Sequence, residues 1–163
     1  MSTGPSVLDV IIARLVMEFL GVTAALFIIF LVLWTAGIVQ PPVDPGLALL
    51  GWLQMALLAG STAVLLAALT EWSETAERFI QPVQYILIPI SGFLLMVDWL
   101  PTFAQKLILW NPLIHIYEMY RAGFFGPSIP THYTMWYPAL FSLIFMTTGL
   151  WGLEKMRDRM HFS

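Results

Sequence analysis

Four stretches of this chain run for 19 residues or more without a charged side chain: 19–43, 46–70, 79–97 and 133–153. As a helix, Phe19 to Val39 would reach about 31 Å, the thickness of a bilayer's hydrocarbon core. Hydrocarbon offers no water to backbone N–H and C=O groups, so each stretch has to satisfy its own by becoming a helix. The expectation is an all-α membrane protein with four transmembrane helices over about 12–39, 46–70, 79–97 and 133–153. Composition supports this: 59% of the 163 residues are hydrophobic and 10% charged, where a soluble domain carries about 25% charged residues. A soluble enzyme is therefore excluded. The net charge of −3 is small and scattered, so no basic face points to nucleic acid. There is no cysteine, hence no disulfide, thiolate metal site or thiol nucleophile. The first apolar run is too long for a signal peptide and no A-x-A-like site follows it, so it is expected to be retained.

Punctuation between the runs sets the organisation. Val7 to Glu18 can extend the first helix toward water, with Asp9 in its first turn and Arg14 and Glu18 on one face. Gln40-Pro41-Pro42 should stop it. The second run opens at Pro45-Gly46 and carries Ala59, Ala63 and Ala67 at every fourth position beside Gly60, a stripe of small residues that would let a neighbouring helix approach closely. Glu71 to Arg78 holds four charges in eight residues and reads as a short polar connection, with Glu71, Glu74 and Glu77 spaced as a helical stripe. That stripe is either a solvated face or a docking face for a cytoplasmic partner. Pro82 and Pro89 should kink the third helix. Residues 98–131 are apolar but broken by Pro101, Pro112, Gly123, Gly126, Pro127 and Pro130. They are too broken to span and too apolar for an aqueous loop, which implies short re-entrant or interfacial helices.

Four spans place both termini on one side. That side holds Arg14, Arg78, Lys155, Arg157 and Arg159, and the other only Lys106 and Arg121, so the positive-inside rule makes the termini cytoplasmic and region 98–131 outward-facing. Trp34, Trp52, Trp99, Trp110 and Trp136 then fall near the outer interface, and Trp72 and Trp151 near the inner one. An aromatic belt accounts for them. Alternatively Trp99 and Trp110, with Tyr117, Tyr120, Phe124 and Phe125, stack on sugar rings along a passage. Glu118 and Arg121 share a helical face, either as an interfacial ion pair or as part of a gate. His115 and Glu118 are too few for a metal site, so no metal is expected. No G-x-x-x-x-G-K-[ST] occurs, so any ATP would be bound by another subunit, and no catalytic pairing of carboxylates or histidines lies in the spans.

The most specific stretch is Leu109-Trp-Asn-Pro-Leu-Ile-His-Ile-Tyr-Glu-Met-Tyr-Arg-Ala-Gly-Phe-Phe125. It resembles the W-N-P-L-x-H-x-x-E-x-x-R motif of the ABC-2 type permeases that export capsular polysaccharide or lipopolysaccharide O-antigen. Leu8 to Glu18 is similar to that family's entry into its third span, and the charged turn at 71–78 and Ile88-Pro-Ile-Ser-Gly92 follow in order. The resemblance covers nearly the whole chain and implies the C-terminal two-thirds of a permease, without the family's interfacial helix and first two spans. A split or truncated product, or a fragment, would look like this. It implies a subunit without bond-making chemistry or cofactor of its own, in the bacterial inner membrane. Two permease copies would pair there with two ATP-binding subunits. Ser6, Val7, Asp9, Glu71, Glu74, Glu77 and Arg78 would meet the ATPase. Trp99, Trp110, Asn111, Pro112, His115, Tyr117, Glu118, Tyr120, Arg121 and Phe124 would form the outer gate or line the polysaccharide path. A drug or lipid permease of the same fold, or a non-transporting remnant, are the alternatives.

Overall fold

The computed structural model describes residues 7–160, apart from the side chains at 7, 8, 74 and 156–160. Six α-helices account for most of them, and no strand occurs among the described residues. The chain divides into two compact units at Pro41–Pro42.

The first unit holds α1, Val7–Thr35. Its span Asp9–Thr35 is long and apolar enough to cross a membrane, and the most apolar part of it buries nothing. Arg14 Nε lies 3.1 Å from Glu18 Oε1, the expected pair one turn apart. The helix stops before the prolines that were expected to end it. Gly37 takes φ +71°, a left-handed turn that glycine adopts without steric cost, and Ile38 N–H turns back to Leu33 O at 2.9 Å.

The second unit is built on α2, Pro45–Trp72, the other helix long and apolar enough to cross a membrane. Asp44 starts it, its carboxylate accepting the Leu47 N–H at 2.9 Å with Pro45 in the first turn, a pairing of cap and proline that suits a helix N-terminus. Its buried face is Ala48, Gly51, Gln54, Leu58, Ser61, Val64 and Ala68. The expected small-residue stripe is therefore not the contact, and Ala59 is exposed. The small residues that matter sit on the partners. A Cβ at Gly149 of α6 (Trp136–Met160) would lie 2.8 Å from Leu65 N, and one at Gly152 would lie 3.0 Å from Ala68 Cβ. With Gln54 Nε2 donating to Met135 O at 2.8 Å, these contacts ascend together along both helices, so α2 and α6 run parallel.

Parallel neighbours require the chain between them to return. Only Ser73 separates α2 from α3, Glu74–Ile90. Its extended backbone, φ −159° and ψ 118°, breaks the helix there. Glu71 consequently ends α2 while Glu74 and Glu77 start α3, and the three do not form one helical stripe. α3 contains Pro82 and Pro89 and stops at Ile90 rather than continuing to 97, because Gly92 takes φ +89°. The chain then passes through an irregular segment, a 3₁₀ turn at Val97–Trp99, α4 (Thr102–Ile108) and α5 (Pro112–Phe125). α5 lies antiparallel on the first half of α2: Cβ atoms placed on Gly51 and Gly123 would lie 3.3 Å from Tyr120 N and 2.8 Å from Ala48 Cα. Asp44 N–H donates to Gly123 O at 2.8 Å, beyond the start of α2. Ile114, Ile116, Met119 and Val97 are buried where α5 meets the rest of this unit.

Candidate functional site

The motif expected to matter occupies α5 and the turn before it. Asn111 caps the helix, its Oδ1 accepting Leu113 N–H at 3.0 Å, while its Nδ2 reaches back to Ile90 O, the end of α3, at 3.1 Å. Pro112 follows in the first turn, where its missing N–H costs nothing. His115, Glu118 and Arg121 then recur every three residues, on the side of α5 that meets two non-helical segments, 91–96 and 129–135.

Each side chain serves backbone groups of those segments. Arg121 donates to Leu95 O at 3.1 Å, to Phe93 O at 3.3 Å and also to Gly92 O. Glu118, 1% exposed, accepts Arg121 Nη1 at 2.9 Å and Val97 N–H at 3.3 Å on one oxygen, and His132 N–H at 2.9 Å on the other. His115 Nε2 lies 2.8 Å from Leu109 O, and its Nδ1 lies 3.0 Å from Thr134 N. A carbonyl only accepts and an amide N–H only donates, so the ring is neutral with its proton on Nε2. Burial holds its pKa below the usual 6.5, the direction expected where desolvation disfavours the charged form. Tyr137 stacks on the ring at 4.7 Å and donates its hydroxyl to Trp110 O at 3.0 Å. A weaker contact, His132 Nε2 to Asp98 Oδ1 at 3.8 Å, joins segment 129–135 to the 3₁₀ turn at Val97–Trp99, at the surface.

The expected site residues thus divide. His115, Glu118 and Arg121 are gathered into one clamp, with His115 and Glu118 buried and Arg121 half-buried, while half-buried Asn111 ties the start of α5 to the end of α3. Trp99 and Trp110 are the opposite, 67% and 77% exposed. Tyr117, Tyr120 and Phe124 are half-buried: Tyr117 packs near Phe93, and Tyr120 lies 5.1 Å from Phe124. Far from these, at the other end of α2, lie Glu71, Glu77 and Arg78, with Glu71 and Glu77 exposed. Asp9 belongs to the separate first unit. Ser6 lies outside the described residues, as do the side chains of Val7 and Glu74. No group of three metal-ligating side chains occurs among the described residues.

Some groups carried no signal in the sequence. Gln54 is a buried amide within an apolar run, and its Oε1 has no hydrogen-bond partner among the described residues. Asp44, Thr131 and Tyr133 line an open hollow of about 580 Å³ between the start of α2, the end of α5 and the segment after it. Only the tertiary fold brings these three together.

The fold and clamp define a class: a helical membrane domain whose breaks are held by buried polar side chains. The chain belongs to the ABC-2 type transporter family, whose model matches residues 1–125. It is 33% identical over 144 residues to the capsule polysaccharide export inner-membrane protein CtrC of Neisseria meningitidis serogroup A, covering 88% of this chain and 54% of that protein. It is 31% identical over 144 residues to the capsule polysaccharide export inner-membrane protein BexB of Haemophilus influenzae, with the same coverage of 88% and 54%. Against the polysialic acid transport protein KpsM of Escherichia coli it is 24% identical over 151 residues, 93% of this chain and 58% of the other. The chain therefore spans little more than half the length of these relatives. No solved structure matches it.

Proposed function

We propose that this chain forms membrane-spanning helices of an ABC exporter for capsular polysaccharide or a related lipid-linked surface glycan. A separate ATP-binding subunit supplies the energy, and a second permease copy completes the conduit. The observation that carries this is the similarity over most of the chain to inner-membrane proteins named for capsule polysaccharide export, together with the intact Trp110 to Arg121 motif. The chain itself makes no bonds in the cargo. It sits in the bacterial inner membrane with four spans and both ends in the cytoplasm.

The helix directions support that topology. α2 and α6 run parallel, with α3 returning between them, which fits alternate crossings. Past its charged first turn, α3 keeps about 18 Å of uncharged helix, Phe79 to Ile90, so in this topology the crossing also uses the non-helical residues 91–96 that follow it. Trp110 and Trp136 then mark the outer interface, and Trp72 and Trp151 the inner one. Lys155 Nζ sits 4.8 Å from the Trp151 ring and 5.9 Å from that of Trp72, a cationic anchor among aromatics at the cytoplasmic end. The clamp on α5 answers the bilayer's central demand, because irregular backbone at membrane depth persists only where protein groups satisfy it. In this arrangement exposed Trp99 and Trp110 are the residues available to emerging cargo, and the ends of α2 and α3 around Glu71–Arg78 face the ATPase.

A clean deletion, complemented with the wild-type gene, tests the function: surface glycan should vanish and return. Normal glycan display in the deletion strain would refute it. Cysteines at positions 74 and 158 should react with impermeant reagents only from the cytoplasm, and labelling of either from outside would overturn the topology.

A further inference from the structure

The hollow at the start of α2 has a chemistry that the clamp does not use. Leu47, Pro127 and Ile129 give it apolar walls, and Asp44, Thr131 and Tyr133 its polar groups. One Asp44 oxygen is engaged with Leu47 N–H at 2.9 Å, and the exposed carboxylate makes no ion pair among the described residues. Thr131 and Tyr133 are half-buried, and their hydroxyls make no hydrogen bond among the described residues. Among the described residues, no lysine, arginine or histidine lines the space. Its volume of about 580 Å³ falls within the range of small-molecule sites, roughly 300–1,000 Å³.

We infer that this hollow is a subsite for an uncharged sugar ring, which rests on the glycan-export reading above. A pyranose presents hydroxyls that donate to a carboxylate and exchange hydrogen bonds with Thr131 and Tyr133. Its C–H face suits the Tyr133 ring and the apolar walls. A carboxylated or phosphorylated sugar meets the Asp44 charge with no cation to offset it. Binding is weak at this one point, because a moving polymer has to leave each position it occupies. The hollow lies at the end of α2 opposite Trp72, the outward end in the proposed topology.

The test uses the intact chain in nanodiscs and saturation-transfer NMR with two probes, N-acetylglucosamine and N-acetylneuraminic acid. Wild-type protein should transfer magnetisation to the first and little to the second. Tyr133→Ala should abolish the first signal. If that variant fails to fold, Tyr133→Phe and Thr131→Val, which remove only hydroxyls, should each reduce it. Asp44→Asn keeps a helix cap but turns a charge-assisted bond into a neutral one. It should weaken N-acetylglucosamine about fivefold and raise the N-acetylneuraminic acid signal. Equal binding of both probes by the wild type, no signal from N-acetylglucosamine, or a signal untouched by these hydroxyl and ring substitutions would each overturn the subsite. The deletion experiment is independent. Lost glycan display without sugar binding here sinks only the subsite, whereas normal display with binding intact sinks only the export function.

Discussion

Replacing Glu118 with glutamine tests whether the motif is a clamp. The substitution keeps the side chain's shape but leaves one carbonyl oxygen and turns an NH₂ toward groups that are themselves donors. In the native protein three donors converge on the carboxylate: Arg121 Nη1 at 2.9 Å, Val97 N–H at 3.3 Å and His132 N–H at 2.9 Å. At least one buried donor then loses its acceptor, at a cost of about 1–3 kcal/mol, and the remaining bonds lose their charge assistance. The loss stays near the lower end of the ~3–5 kcal/mol for breaking a buried pair, because Arg121 is 15% exposed and keeps backbone carbonyls as acceptors. A total near 3 kcal/mol corresponds to about a hundredfold in the opening equilibrium. Hydrogen exchange of the intact protein in nanodiscs reads this directly: amides around Val97 and His132 should exchange about a hundredfold faster. Those of Ile116 and Met119, inside α5, should change less. In an Arg121→Met background the same change should cost less than the two separate losses added together. Unchanged exchange at both segments in a folded Glu118→Gln protein would refute the clamp.

Three further outcomes follow from the same geometry. His115 lies outside the four proposed spans and its pKa is lowered in the fold, so the unfolded state binds the extra proton. Stability should hold above pH 6.5 and fall as pH drops from there toward the lowered value, a loss that melting curves would show and that His115→Gln should flatten. Gly123→Ala or Gly149→Ala forces a Cβ to less than 3.0 Å from backbone atoms on α2, closest at Gly123 against Ala48, for about 1–3 kcal/mol of overpacking. Gly21→Ala in α1 meets nothing within 4 Å and should be neutral or stabilising, a contrast that thermal shift assays can resolve. Asn111→Ala removes a cap and the tie to Ile90 O, at about 1 kcal/mol for the cap alone, and should speed exchange at Leu113.

The all-helical character and the long apolar helices α1 and α2 were legible in the sequence because hydrocarbon imposes a simple rule on uncharged runs. The broken character of 98–131 was visible in its prolines and glycines, and α4 and α5 fall inside it. The misplacements have physical causes. Helix ends at Thr35 and Ile90 are set by left-handed Gly37 and Gly92, and an isolated glycine in an apolar run gives little notice of its dihedral. The break at Ser73 falls inside the polar connection expected at 71–78, but that connection shrinks to one residue, which splits Glu71 from Glu74 and Glu77. Ala59, Ala63 and Ala67 formed a convincing stripe, but which face of α2 is covered depends on where α5 and α6 lie, and the close contacts came from Gly123, Gly149 and Gly152. The motif was found, yet spacing alone could not say that His115, Glu118 and Arg121 point at backbone. Their acceptors and donors, from Gly92 to Thr134, lie up to 29 residues away from them in the chain.

The closeness of α2 and α6 constrains how such a protein can move. Gly149 and Gly152 bring two backbones together so tightly that prising them apart would leave an unfilled slot along both, and no cargo can thread that seam. In the proposed exporter, a stroke delivered at the Trp72 and Lys155 end would therefore tilt the two as a single lever. The give in that proposed mechanism would fall to the one-residue joint at Ser73 and to α3, whose prolines have already surrendered part of their ladder of bonds.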